Sequence, residues 1–125
     1  MSVHDSDLDW FRRHLQKKLG GRRFPFSGSF ELTWRCNFQC IHCYLRGSEP
    51  PAELPTRDAL RLLDQMADAG VIGVSLTGGE PLVREDFARI HTHAVRRGFL
   101  VAIFSNASLV DAALADVLAA HPPRT

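Results

Sequence analysis

Three strand-like runs, each followed by a segment of helical periodicity, constrain the fold of this chain more than any other feature. In the first, Phe30, Leu32 and Trp34 alternate with Glu31, Thr33 and Arg35, the period-two pattern of a strand. The second, Val71 to Thr77 (VIGVSLT), is apolar and lies between Gly70 and the pair Gly78-Gly79, which reads as a buried strand. The third, Phe99 to Phe104 (FLVAIF), follows Gly98 and has the same continuous apolar character. Leu60, Leu63, Met66 and Ala67 mark a helix after the first strand, with Thr56 as its predicted N-cap and Gly70 as its stop. Phe87, Ile90, Ala94 and Val95 mark a second, closed by Gly98. Leu114, Val117 and Leu118 mark a third, which starts near Asp111 and stops before Pro122-Pro123.

One more amphipathic helix precedes these units. Leu8, Phe11, Leu15 and Leu19 fall on one face, Gly20-Gly21 end it, and Arg12, Arg13, Lys17 and Lys18 form an opposite face read as solvated surface. Repeated strand-helix units imply a parallel α/β sheet with right-handed crossovers, so the C-terminal ends of the strands share one edge. Ligands of parallel α/β folds lie at that edge. Here it gathers a cysteine-bearing loop, the Gly78-Gly79-Glu80-Pro81 turn and the Ser105-Asn106 turn.

A chain of 125 residues with 45% hydrophobic content fits one domain with a modest core. Its net charge of +1 supplies no general attraction to nucleic acid or an anionic membrane. The N-terminal stretch MSVHDSDLDWFRR is polar, and no apolar run approaches the roughly 18 residues of a membrane span, so a cytoplasmic location without membrane insertion is expected.

All three cysteines lie in Cys36-Asn37-Phe38-Gln39-Cys40-Ile41-His42-Cys43-Tyr44 (CNFQCIHCY). An odd number cannot pair fully into disulfides, and in a reducing compartment such a group points to metal or chemistry. Soft thiolates at C-x3-C-x2-C spacing suit an iron-sulfur cluster, zinc or copper(I). A structural zinc site requires a fourth ligand; His42 is awkwardly placed beside Cys43, while His91 and His93 would have to arrive from another element.

Taken with SLTGGEP at Ser75 to Pro81, CNFQCIHCY resembles the radical S-adenosylmethionine enzymes, which carry a CxxxCxxC signature and a Gly-Gly-Glu motif after the second strand. ELTWRCN before the cysteines and LTGGEPLVREDF after them are most similar to the branch that modifies peptides and proteins or tailors heme-like cofactors. The resemblance implies that Cys36, Cys40 and Cys43 hold three irons of a [4Fe-4S] cluster, and that S-adenosylmethionine chelates the fourth through its amino and carboxylate groups. Reductive cleavage of the sulfonium would then give a 5′-deoxyadenosyl radical that abstracts a substrate hydrogen. It further implies that Gly78, Gly79 and Glu80 meet the methionyl amino group and that the backbone at His42 lies against the adenine. Asn106 resembles the Asn of the family's Thr-Asn-Gly turn, with both flanking residues changed, and is a cofactor neighbour or a simple turn residue. A bulky residue at Gly79 is expected to spare the metal and weaken S-adenosylmethionine binding.

The resemblance runs from about Phe24 to Ala120 and covers the first three βα units of a partial (β/α)6 TIM-like barrel. The division expected is a helical extension over 1–23 and a truncated core domain over 24–125, from a shortened gene product, a piece cut from a longer protein or one half of a split protein. On this reading the missing C-terminal half would cover the unpaired edge of the third strand. The implied partners are an electron donor such as flavodoxin or ferredoxin and a peptide or small-molecule substrate. Two other classes remain open at this point: an iron-sulfur electron carrier, which normally needs a fourth cysteine, and a zinc-stabilised interaction module, which needs no Gly-Gly-Glu edge.

Overall fold

The structure, a computed structural model, describes residues 5–18, 20, 23 and 25–124, and for residues 5–8, 12, 16 and 18 the course of the backbone only. Helix α1 (Asp5–Lys18) precedes β1 (Ser27–Thr33), α2 (Thr56–Asp68), β2 (Gly73–Gly78), α3 (Phe87–Arg96), β3 (Leu100–Ile103) and α4 (Ala112–Ala120), with one 3-10 turn, Pro81–Val83, after β2. The strands form one parallel sheet in the order β1-β2-β3. This is the three-unit α/β arrangement that the alternating periodicities require. The short turn at Pro81 was not legible in them.

Register explains how the sheet is buried. Phe30 pairs with Leu76 and Leu76 with Ile103, while Val74 pairs with Val101. These side chains share the face that meets α2 and α3, where Ala59, Leu63, Phe87, Ile90 and Ala94 are buried with them. Alternate residues Ser29, Ser75 and Ala102 are paired on the other face, as are Glu31 and Thr77. That face stays partly open: Ser75, Thr77 and Ala102 are half-buried. The apolar runs VIGVSLT and FLVAIF are therefore buried on one face only, and Phe104, beyond the end of β3, is 61% exposed.

Several ends differ from expectation. Pro55, not Thr56, caps α2, and the Thr56 hydroxyl donates instead to Asp86 Oδ2 at 2.6 Å. Gly98 closes α3 as expected, with φ +89° and its N–H on Val95 O at 3.0 Å. Asp111 caps α4 by accepting from Leu114 N at 2.8 Å. The far end of α4 is held by His91, a fully buried side chain whose Nε2 donates to His121 O at 2.7 Å. On α1, Phe11 meets Phe26 edge-on at 6.5 Å and Leu15 is half-buried. The side chains of Leu8, Arg12 and Lys18, together with Leu19 and Gly21, lie outside the described residues.

The edge of β3 away from β2 is not bare. Arg124 N donates to Val101 O at 2.7 Å.

Candidate functional site

The ends of all three strands converge as the parallel topology predicts. β1 runs through Trp34 and Arg35 into Cys36, and the turn after β2 lies directly against that segment. Gly79 N donates to Thr33 O at 2.8 Å and Glu80 N to Arg35 O at 2.9 Å. A Cβ on Gly79 would lie 2.5 Å from Arg35 O and 2.6 Å from Trp34 O. Gly78, at φ +147°, would collide with the Thr33 carbonyl. Both glycines thus serve a close approach of two backbones immediately before the first cysteine.

Glu80 is fully buried. Its Oε1 accepts from Leu82 N at 2.9 Å and from Ser105 Oγ at 2.8 Å, and its Oε2 accepts from Asn106 N at 2.7 Å. Three of the roughly four lone-pair sites of the carboxylate are engaged by this chain's own donors. Glu80 therefore ties the end of β2 to the end of β3. The Asn106 side chain extends the tie: its Nδ2 donates to Asn37 Oδ1 at 3.0 Å, while Asn37 Nδ2 donates to Ser108 Oγ at 2.8 Å. Asn37 is the residue after Cys36, so the third-strand turn reaches the cysteine loop itself. Neither Asn37 nor Ser105 was singled out from sequence. Asn37 depends on a turn 69 and more residues away and Ser105 on Glu80, 25 residues before it, and no local pattern encodes such pairings.

Cys36 and Cys40 are exposed, Cys43 is half-buried, and all three are free thiols. They line one cavity of about 280 Å³ together with Trp34, Phe38 and Gly79. Among the described residues no three His, Cys, Asp or Glu side chains form a compact site for one metal ion. The thiols border a hollow next to the glycine turn, an arrangement suited to a group with width and soft ligands, and so the donor set fits an iron-sulfur cluster. His42 is exposed. His91 and His93 belong to α3: His93 Nε2 bonds Asp64 Oδ1 at 2.8 Å, and His91 faces α4. Neither joins the cysteine cavity.

A charged network supports the loop from below. Arg84, 7% exposed, donates to Leu32 O at 2.9 Å, to Leu54 O at 3.1 Å and to both oxygens of Asp86. Its guanidinium, with the Thr56 hydroxyl assisting, outweighs burial and lowers the Asp86 carboxyl to about 2. Glu53 is held below the usual carboxylate range by hydrogen bonds from Arg35, at 2.6 Å, and from Thr33. The 51–55 segment is thereby strapped to the end of β1, next to the start of the cysteine loop.

Comparison with known proteins agrees with this geometry. A family model described as the Radical SAM superfamily matches residues 30–125. Fe-coproporphyrin III synthase of Methanosarcina barkeri is 33% identical over 125 residues, covering 94% of this chain and 31% of that protein. PqqA peptide cyclase of Granulibacter bethesdensis is 37% identical over 90 residues, covering 70% of this chain and 24% of that protein. Among crystal structures, Streptococcus suis SuiB bound to precursor peptide SuiA superimposes with a TM-score of 0.71 and 28% identity, over 94% of this chain and 28% of that one. SuiB bound to S-adenosylmethionine gives the same TM-score of 0.71 at 25% identity, over 94% of this chain and 29% of that one. The chain spans less than a third of the length of these relatives.

Proposed function

Because the chain belongs to the radical S-adenosylmethionine superfamily, we propose that it carries the cluster loop of an enzyme that reductively cleaves S-adenosylmethionine to modify a peptide. Members of that superfamily are enzymes that use a [4Fe-4S] cluster and S-adenosylmethionine. When bound, such a cluster would supply the electron for reductive cleavage of S-adenosylmethionine, and so the chemistry of hydrogen abstraction. In this reading Cys36, Cys40 and Cys43 hold three irons as thiolates and leave the fourth for the cofactor's amino and carboxylate groups. The observation that carries it is the single cavity shared by the three cysteines and Gly79.

Gly78, Gly79 and Glu80 would meet the methionyl amino group, with about one acceptor position of Glu80 left beyond its three protein donors. The backbone at His42 would serve the adenine. Asn106 acts on the cofactor at one remove, through the cysteine loop it holds at Asn37. A peptide substrate is favoured by the name of the relative PqqA peptide cyclase and by SuiB, whose structure holds the precursor peptide SuiA. The electron donor is a small carrier of the flavodoxin or ferredoxin kind. We assign residues 24–125 to the core domain and 1–23 to a helical extension, a division supported by the family match beginning at residue 30. A cytoplasmic location is consistent with the absence, among the described residues, of a helix long and apolar enough to cross a membrane.

Anaerobic reconstitution with iron and sulfide tests this function. The expected result is about four irons and four sulfides per chain, near-complete loss in Cys36→Ala, Cys40→Ala and Cys43→Ala, and a change in the cluster spectrum on adding S-adenosylmethionine. Stoichiometric zinc uptake with no iron would overturn it.

A further inference from the structure

The two flanks of the cysteine loop meet on one carboxylate. Glu31, on β1, accepts at Oε2 from Trp34 Nε1 at 2.7 Å and at Oε1 from Tyr44 Oη at 2.9 Å. Trp34 stands two residues before Cys36 and Tyr44 follows Cys43 directly, so this pair of bonds brackets all three cysteines. We propose that Glu31 is a positioning residue for the cysteine loop, buckling its two ends to the sheet so that the three thiolates are presented together. The proposal rests on the cluster reading above.

Three observations carry it. The segment from 34 to 50 contains no helix or strand, and its own backbone bonds, such as Cys43 N to Cys40 O at 3.2 Å, are short-range and do not join its ends. Gathering three ligands from such a segment costs chain entropy unless something has already fixed it. Next, packing does not hold Tyr44: the residue is 69% exposed, and so the bond to Glu31 is what fixes its direction. Finally, Glu31 is itself well placed to act as an anchor. It is paired with Thr77 in the β1-β2 ladder, and its side chain presents a separate oxygen to each of the two donors.

The chemistry of the anchor makes the test specific. Each donor meets a different oxygen of Glu31, and in glutamine one of those two positions is an amide nitrogen, which only donates, so one of the two bonds is lost in this geometry. Alanine receives neither. In the full chain, reconstituted anaerobically, iron release to an external chelator should be roughly threefold faster in Glu31→Gln and about tenfold faster in Glu31→Ala. Tyr44→Phe and Trp34→Phe should each resemble Glu31→Gln, and Tyr44→Phe added to Glu31→Ala should bring little further loss, because the bond is already gone. The metal-free proteins should melt together with wild type, since Glu31 is exposed and outside the core. Iron release at the wild-type rate in Glu31→Ala would overturn the proposal, as would a fall in metal-free melting temperature that tracks the loss of iron. Failure of the wild-type chain to take up iron would instead overturn the cluster reading, and this inference with it.

Discussion

Asn106 N–H donates to Glu80 Oε2 at 2.7 Å, and beside the Ser105 Oγ bond to Oε1 it joins the turn after β2 to the turn after β3. It decides what a conservative change does. In Glu80→Gln, one side-chain oxygen becomes a donor, and either Asn106 N or the pair Leu82 N and Ser105 Oγ then faces another donor. The expected cost is about 2 kcal/mol, read as a lower urea midpoint in the metal-free protein. An unchanged midpoint would show that the carboxylate does not clamp the two turns.

The contact at Gly79 revises the expectation that enlarging this residue affects only the cofactor. A Cβ there would lie 2.5 Å from Arg35 O, next to Cys36. Gly79→Ala and Gly79→Val should therefore push on the start of the cysteine loop, lower stability by about 1 to 3 kcal/mol and reduce iron uptake as well as S-adenosylmethionine binding. Iron analysis after reconstitution checks this, and full iron content with stability intact would refute it.

Asp86 gives the fold a defined acid limit. Its carboxyl lies at about 2 rather than 3.8, so the unfolded chain binds its proton first as pH falls. The stabilisation is complete above pH 3.8 and is lost as pH drops through about 2; for a side chain 21% exposed it amounts to about 2 kcal/mol. Asp86→Asn should cost about 3 kcal/mol at neutral pH because Arg84 remains buried without its closest carboxylate. Denaturation of both proteins between about pH 2 and pH 6 should show the gap closing toward the acid end.

Ala107 is the one residue other than glycine with positive φ, +58°, among the described residues. It occupies the last position of the turn that in the resembling family reads Thr-Asn-Gly. Left-handed backbone costs an alanine about 1 kcal/mol, and Ala107→Gly should recover most of it. A urea midpoint that falls in this variant would mean that the added freedom of the unfolded glycine outweighs the relieved strain.

Much of this arrangement was legible in the sequence because it is periodic. Phe30 and Leu32 alternate, Phe87, Ile90 and Ala94 recur along one helical face, and both patterns report the same buried layer. The opposite face of the sheet was harder to read. VIGVSLT appears apolar throughout, yet its Ser75 and Thr77 line a polar surface with Ser29 and Glu31, and only the pairing register reveals that. Thr56 looked like a cap until Asp86, 30 residues later, claimed its hydroxyl. The cysteine and glycine motifs marked the site, whereas Asn37, Arg84 and Ser105, which help to hold it, act across elements far apart in the chain. Sequence spacing carries no record of such distances.

The hydrogen bond from Arg124 N to Val101 O has a consequence for how the sheet is indexed. His121 N is already spent on Val117 O, and Pro122 and Pro123 have no N–H to offer, so Arg124 is the first residue after α4 able to reach β3 with a donor. The prolines act as a spacer of fixed length. The two prolines thus decide which donor meets the outer side of β3, though neither can form that bond itself.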